Sequence, residues 1–140
     1  MYLKNIIRHK VYRTSLSKID TANSCVINTI NAHSFCLAKK DKKFATALKS
    51  SDILLPDGSS MVLAARVLEN RKIKKIAGAD VHRFLLQQAN LTGEKVFYLG
   101  ASKNTLNQIK DKIKKEFPNI QIQSYSPPYK PVFDARILQP

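Results

Sequence analysis

Glu94–Ile122, EKVFYLGASKNTLNQIKDKIKKEFPNIQI, reads in order as strand, turn, helix and strand. Val96-Phe97-Tyr98-Leu99 is a short run of β-branched, aromatic and aliphatic residues, bounded by Thr92-Gly93-Glu94 and by Gly100-Ala101-Ser102. A run so short and so punctuated predicts a strand rather than a helix. Beyond it, Leu106, Ile109, Ile113 and Phe117 recur every three or four residues, which lines them along one stripe of an amphipathic helix. Pro118-Asn119 stops that helix, and Ile120 and Ile122 begin the next strand. Strand, helix and strand at this spacing predict a parallel pair with a helical crossover.

Working outward, the same alternation fills most of the chain. Val26-Ile27-Asn28-Thr29-Ile30 predicts a strand. Ser34 is then placed to cap a helix running to about Ser50, with Phe35, Ala38, Ala45 and Leu48 on its inner face. Ile53-Leu54-Leu55 is a second short apolar run, halted by Pro56-Asp57-Gly58, and a helix follows from Ser59 to about Glu69. Ile73 and Ile76, alternating with lysines, predict a short third strand that Gly78 ends, and Asp80 stands where an N-cap belongs, ahead of a helix through Leu91. The fold class is therefore α/β, a Rossmann-like and mainly parallel sheet with flanking helices. Residues 1–24 show little periodicity and read as a peripheral arm; residues 25–140 form the α/β domain. Ser126-Pro127-Pro128-Tyr129-Lys130-Pro131 reads as extended chain.

Composition narrows the partners. The 140 residues carry 24 Lys and Arg against 10 Asp and Glu, a net charge of +14. That field attracts anions, whether nucleic acid, anionic lipid or phosphorylated small molecules. The lysines are scattered over several helices, without a helix-turn-helix signature, zinc spacing or nucleic-acid-stacking aromatic set, so nucleic acid is not the expected partner. The hydrophobic fraction of 44% excludes a disordered chain. No apolar stretch reaches membrane-spanning length, and MYLKNIIRHKVYR lacks the apolar centre of a secretion signal. A cytoplasmic protein is expected, peripheral at a membrane surface. Cys25 and Cys36 have no metal-ligand or redox spacing and read as small buried hydrophobes kept reduced.

In open α/β sheets ligands bind beyond the carboxyl ends of the strands. Asn28–Ser34, Pro56-Asp57-Gly58 and Gly100-Ala101-Ser102 supply polar residues and glycines there. Asp57 is the sharpest candidate, because a carboxylate on a tight turn after a buried strand is suited to general-base work. Pro-Asp-Gly is also ordinary turn chemistry in any protein. Gly100 lets a ligand approach the backbone ahead of a helix N-terminus, although a plain strand–helix turn explains it equally well. His33 and His82 stand apart from any cluster, and Lys39-Lys40-Asp41-Lys42-Lys43 reads as a solvated helix surface. The chain has no D-x-D pair to hold a divalent metal on a diphosphate; were sugar transfer the chemistry, cations and backbone dipoles would have to neutralise the leaving group.

Five segments in register resemble the WecG/TagA/CpsF family of bacterial glycosyltransferases: Ile27–Ser34, Ser51–Gly58, Ile76–Asp80, Val96–Ser102 and Tyr125–Pro131. The resemblance implies transfer of an N-acetylhexosamine, N-acetylmannosamine in type, from a UDP-sugar to an undecaprenyl-diphosphate-linked acceptor, in teichoic acid or other cell-surface polysaccharide synthesis. It implies an inverting reaction with neither metal nor cofactor. Asp57 matches the family's catalytic base, and Thr29 and Asn31 match polar residues of the same site. Gly58, Gly78, Asp80 and Gly100 match turns around the nucleotide-sugar. Lys75 stands where an arginine is expected beside the diphosphate, keeping the charge but not the bidentate fork. The family pattern continues beyond Phe133 with further strands and helices, so the resemblance implies a domain cut short at its carboxyl side. A homo-oligomer or a separately encoded second half is then an expected partner, and a non-catalytic remnant or UDP-sugar-binding module is the alternative to an active enzyme.

Overall fold

The computed structural model describes residues 11–12, 15–19 and 24–128. It is an α/β protein whose paired strands run parallel, and it divides into two compact units, one ending at Arg83 and the other beginning at Phe84.

In the first unit, β1 (Ile27–Ile30) pairs with β2 (Ile53–Pro56), with Ile27 opposite Ile53 and Ile30 opposite Pro56. Ile30, Leu54 and Leu55 are wholly buried, as the aliphatic strands of a parallel pair should be. Between the strands lie α1 (Ala32–Lys40) and α2 (Lys42–Ser50), and after β2 comes α3 (Ser59–Glu69). Val11, Ile30, Leu48, Leu54, Met61, Ala65 and Ile73 form the core, with Phe35, Ala38 and Phe44 packed against it. Each fully buried aliphatic side chain contributes about 1.5–3 kcal/mol. A polar contact also ties the two strands: Asn28 Nδ2 donates to Oγ of buried Ser51 at 2.8 Å, just ahead of β2.

Two expectations change here. The helix predicted from Ser34 to Ser50 is capped by Asn31 and is broken at Asp41. Asp41 is extended (φ −111°, ψ 107°), its N–H closes α1 on the Leu37 carbonyl, and its carboxylate accepts the Phe44 N–H at 3.0 Å. A short acidic side chain competes for backbone donors, and its charge suits a helix N-terminus better than a helix interior. Cys36, expected inside, faces solvent, since Phe35 and Ala38 define the inner side of α1.

The third strand predicted at Ile73 and Ile76 is absent. Both side chains are buried, but the backbone from 70 to 77 is irregular. The reason lies in the edge of β2 that faces away from β1. There the Leu54 carbonyl already accepts the Tyr12 N–H at 2.8 Å, beside an isolated parallel bridge from Val11. The next group on that edge, Pro56, has a carbonyl but no N–H. One bond remains to be made, and Ile76 N–H makes it with Pro56 at 2.9 Å.

In the second unit, β3 (Lys95–Leu99) pairs with β4 (Gln121–Tyr125) through the crossover helix α5 (Lys103–Glu116). The preceding helix, α4 (Gly78–Thr92), begins in the first unit and ends in this one. Leu86, Ala89, Ile113 and Ile120 are its core, and Val96, Tyr98, Ile109, Phe117 and Ile122 pack against them. The α5 stripe is the one read from the sequence. Asn90 accepts the Asn119 N–H at 3.0 Å and takes its side-chain amide on the backbone at 3.1 Å, which fixes the turn into β4. Among the described residues, no helix is long and apolar enough to cross a membrane.

Candidate active site

Because β1 and β2 are parallel and end in register, Asn31 and Asp57 emerge side by side at their carboxyl ends. The Asp57 N–H donates to the Ile30 carbonyl at 2.9 Å, so the ladder holds the base of this residue. Its side chain is half-buried. Gly58 follows with φ +94° and ψ 143°, a conformation that swings the chain into α3 and is open essentially to glycine. A Cβ there would meet only Ser60 Oγ at 3.7 Å, so backbone conformation rather than crowding demands the glycine. No side chain caps α3, and Met61 N–H turns back to the Gly58 carbonyl at 3.2 Å.

Asn31 is the N-cap of α1. Its Oδ1 accepts the Ser34 N–H at 2.9 Å while Ser34 Oγ accepts the Asn31 N–H at 2.8 Å, a reciprocal box that commits the amide oxygen. For a ligand, Asn31 retains the donors of its amide nitrogen.

The Ile76–Pro56 bond brings the start of α4 to the same strand ends. A Cβ on Gly78 would stand 3.8 Å from Thr29 Cγ2, so the first turn of α4 lies against the exposed side of β1. Asp80 is not the N-cap, as expected, but the third residue of α4. It reaches back to accept the Ala77 N–H at 3.1 Å, the distance a carboxylate spans from that position. Lys75 is exposed on the segment just before Ile76.

The first unit thus gathers Thr29, Asn31, Asp57, Gly58, Gly78 and Asp80 at one set of strand ends, with Lys75 on the segment that leads there. Helices α1, α3 and α4 all begin at this end, so three positive dipole ends collect beside a carboxylate. The arrangement sets the Asp57 carboxylate beside the backbone N–H groups of three helix starts. The tether from Ile76 has no side-chain signature and was not readable in the sequence.

Gly100 belongs to the second unit. There it ends β3 with φ +112°, its N–H donates to the Tyr125 carbonyl at 3.0 Å, and nothing stands within 4 Å of where a Cβ would be. Ala101 is left-handed (φ +61°), its carbonyl takes a hydrogen bond from Ser126 Oγ at 2.8 Å, and Ser102 caps α5 through Thr105 N–H at 3.2 Å.

Fold and site define a parallel α/β protein with an acidic residue and helix N-termini at its strand ends. The chain belongs to the WecG/TagA/CpsF family of glycosyl transferases, whose pattern it matches over residues 2–139. It is similar to the N-acetylglucosaminyldiphosphoundecaprenol N-acetyl-beta-D-mannosaminyltransferase of Bacillus subtilis (strain 168), 39% identical over 111 residues, which are 79% of this chain and 43% of the relative. The protein of the same name from Bacillus spizizenii (strain ATCC 23059 / NRRL B-14472 / W23) is 30% identical over 111 residues, again 79% of this chain and 43% of the relative. The chain spans less than half the length of the curated relatives it matches.

Proposed function

We propose that this chain is the strand-end portion of a glycosyltransferase that moves an N-acetylhexosamine, N-acetylmannosamine, from a UDP-sugar to an undecaprenyl-diphosphate-linked acceptor in cell-surface polymer synthesis, at the inner face of the cell membrane. The family match and the names of the relatives support the class of reaction. The observation that carries the reading is Asp57, held by the Ile30 carbonyl at the mouth of the parallel pair, next to the start of α3.

In this reading Asp57 takes the proton of the acceptor hydroxyl as its oxygen bonds to the anomeric carbon. The bond from that carbon to the UDP oxygen breaks on the opposite face, so the configuration inverts. The departing diphosphate is met by the dipole ends of α1, α3 and α4 and by Lys75. Thr29 and Asn31 hold the sugar and acceptor, and Gly58, Gly78 and Asp80 shape the backbone around them; Gly100 does the same at its own strand end. No metal or cofactor is assigned a role.

A second reading, a UDP-sugar-binding module that turns over only with further polypeptide or another copy of itself, draws on the 43% coverage of the relatives. Both are tested by measuring UDP release from UDP-N-acetylmannosamine with a lipid-diphosphate acceptor, alongside calorimetric UDP-sugar binding. The enzyme reading expects release that Asp57→Ala lowers about 10²–10⁴-fold while binding persists. Binding without release by a folded chain selects the module. Neither binding nor release sinks both.

A further inference from the structure

The parallel pair of the second unit buries one face and exposes the other. Val96, Tyr98 and Ile122 pack against Leu86 and Ala89 of α4 and Ile113 of α5. The residues that alternate with them turn the opposite way, and among these Phe97, Leu99 and Tyr125 are 59%, 50% and 46% exposed. In the register of the pair, Leu99 stands opposite Tyr125 and Phe97 opposite Gln123. The three apolar side chains are therefore neighbours, gathered on the carboxyl half of the face. The amino half is polar, with exposed Lys95 opposite exposed Gln121.

Antiparallel sheets tolerate a solvated face, but parallel strands joined by helical crossovers are covered on both. The size of the patch says what fits it. From Phe97 to Leu99 is about 7 Å along the strand, and a helix with its side chains is about 10 Å across. A second copy of this sheet fits poorly, because sheets packed face to face would also press Lys95 and the glutamines into the contact. A single helix crossing the carboxyl half leaves them in water. The relatives have polypeptide to supply one: the 111 matched residues are 43% of each, so more than half of their length lies outside the match.

We propose that Phe97, Leu99 and Tyr125 form the seat of an amphipathic helix from the part of the family fold outside the match. The proposal rests on the reading in which turnover needs further polypeptide, and it says where that polypeptide attaches. The patch adjoins the strand ends, where Gly100 N–H meets the Tyr125 carbonyl and Ser126 meets Ala101. Open α/β sheets take their ligands at such ends, so the seated helix also walls the β3 end of the site. Lys95 favours an acidic side chain on the edge of the helix nearest to it.

The test supplies the polypeptide of the Bacillus subtilis relative outside the 111 matched residues, as a separate chain in one arm and joined to this chain in the other. Leu99→Cys is treated with a maleimide and its labelling is read by peptide mass spectrometry, with circular dichroism confirming the fold. In one arm or both, labelling at position 99 slows about tenfold or more, while Cys36, exposed on α1, keeps its rate. Adding Phe97→Thr and Tyr125→Thr raises the protected rate about tenfold. Leu63→Gln, Val67→Gln on α3, where the side chains are as exposed, changes it less than about threefold.

Labelling at the free rate in both arms overturns the proposal, and so does equal slowing at Cys36. A dimer in sedimentation velocity that Phe97→Thr, Tyr125→Thr dissolves would make the occupant a second copy. Slow labelling of this chain alone, quickened by removing residues 129–140, would make it the chain's own end. UDP release is read separately. Release restored by the added polypeptide but indifferent to the face variant sinks the proposal and keeps the reading beneath it. Protection without release keeps the proposal and sinks that reading.

Discussion

Two glycines at the strand ends look alike in the sequence and answer to different physics. Gly58 has φ +94°, whereas Gly78 has an ordinary helical backbone and an ordinary 3.8 Å approach to Thr29. Gly58→Ala should cost about 1–3 kcal/mol of stability, read as a lower urea midpoint. Gly78→Ala should leave that midpoint unchanged or slightly raised, because alanine favours the helix, while weakening UDP-sugar binding by narrowing the space beside Thr29. Equal destabilisation by both would remove the distinction. The place of Asp57 on the turn after β2 was legible because Pro56 and Gly58 bracket it after an apolar run. The true work of Asp80 was not, since an N-cap and a third helical residue are separated by a shift that composition does not encode. Ser34 and Asn31 show the same limit: both belong to one capping box, and the sequence pointed to the reciprocal partner rather than the cap.

At the scale of elements, the stripe Leu106, Ile109, Ile113, Phe117 was readable because burial on one helix face is a local pattern. The segment around Ile73 and Ile76 was not, because periodicity registers alternating side chains and is blind to whether a neighbouring strand has donors left to pair. That shortage arose from Tyr12 and Pro56, both remote from the alternating residues. Asp41 broke a helix whose apolar periodicity ran straight through it, for a reason held in its own side chain. Strand β3 offers a pH test. Tyr98 packs against the core of the second unit, and burial pushes its phenol above the usual value. The folded state favours the protonated phenol, so its contribution is complete below the unfolded value, near pH 10, and is lost as pH rises through the higher folded value. Chemical denaturation across that range should show stability falling above about pH 10, less steeply in Tyr98→Phe. Identical slopes would mean that other groups govern the alkaline limb.

For the molecule as a whole, charge is the dominant global term. With 24 basic against 10 acidic side chains, the compact state repels itself. Raising sodium chloride from about 0.01 M to 0.15 M shortens the Debye length from about 30 Å to 8 Å, and thermal denaturation should accordingly occur at higher temperature. A fall would mean that attractive pairs outweigh the repulsion. The parallel pairing of both strand pairs was legible, and so was the alternation of elements apart from the segment 70–77 and the break at Asp41; the division between Arg83 and Phe84 was not, because it falls inside α4, where the helical pattern is unbroken.

The hydrogen bond from Ile76 to Pro56 also has a history. Synthesis delivers the amino end first, and compact units fold as they are completed. When Asp57 has been made, the residues of both strands of its pair have been supplied, yet the donor for the Pro56 carbonyl and the start of α4 have not. Only when Ile76 has been added does the edge close and bring Gly78 against Thr29. A nascent chain paused between these two moments carries the acid but not the mouth around it, so the birth of the site is timed by a short basic segment rather than by the strand and turn that hold its charge.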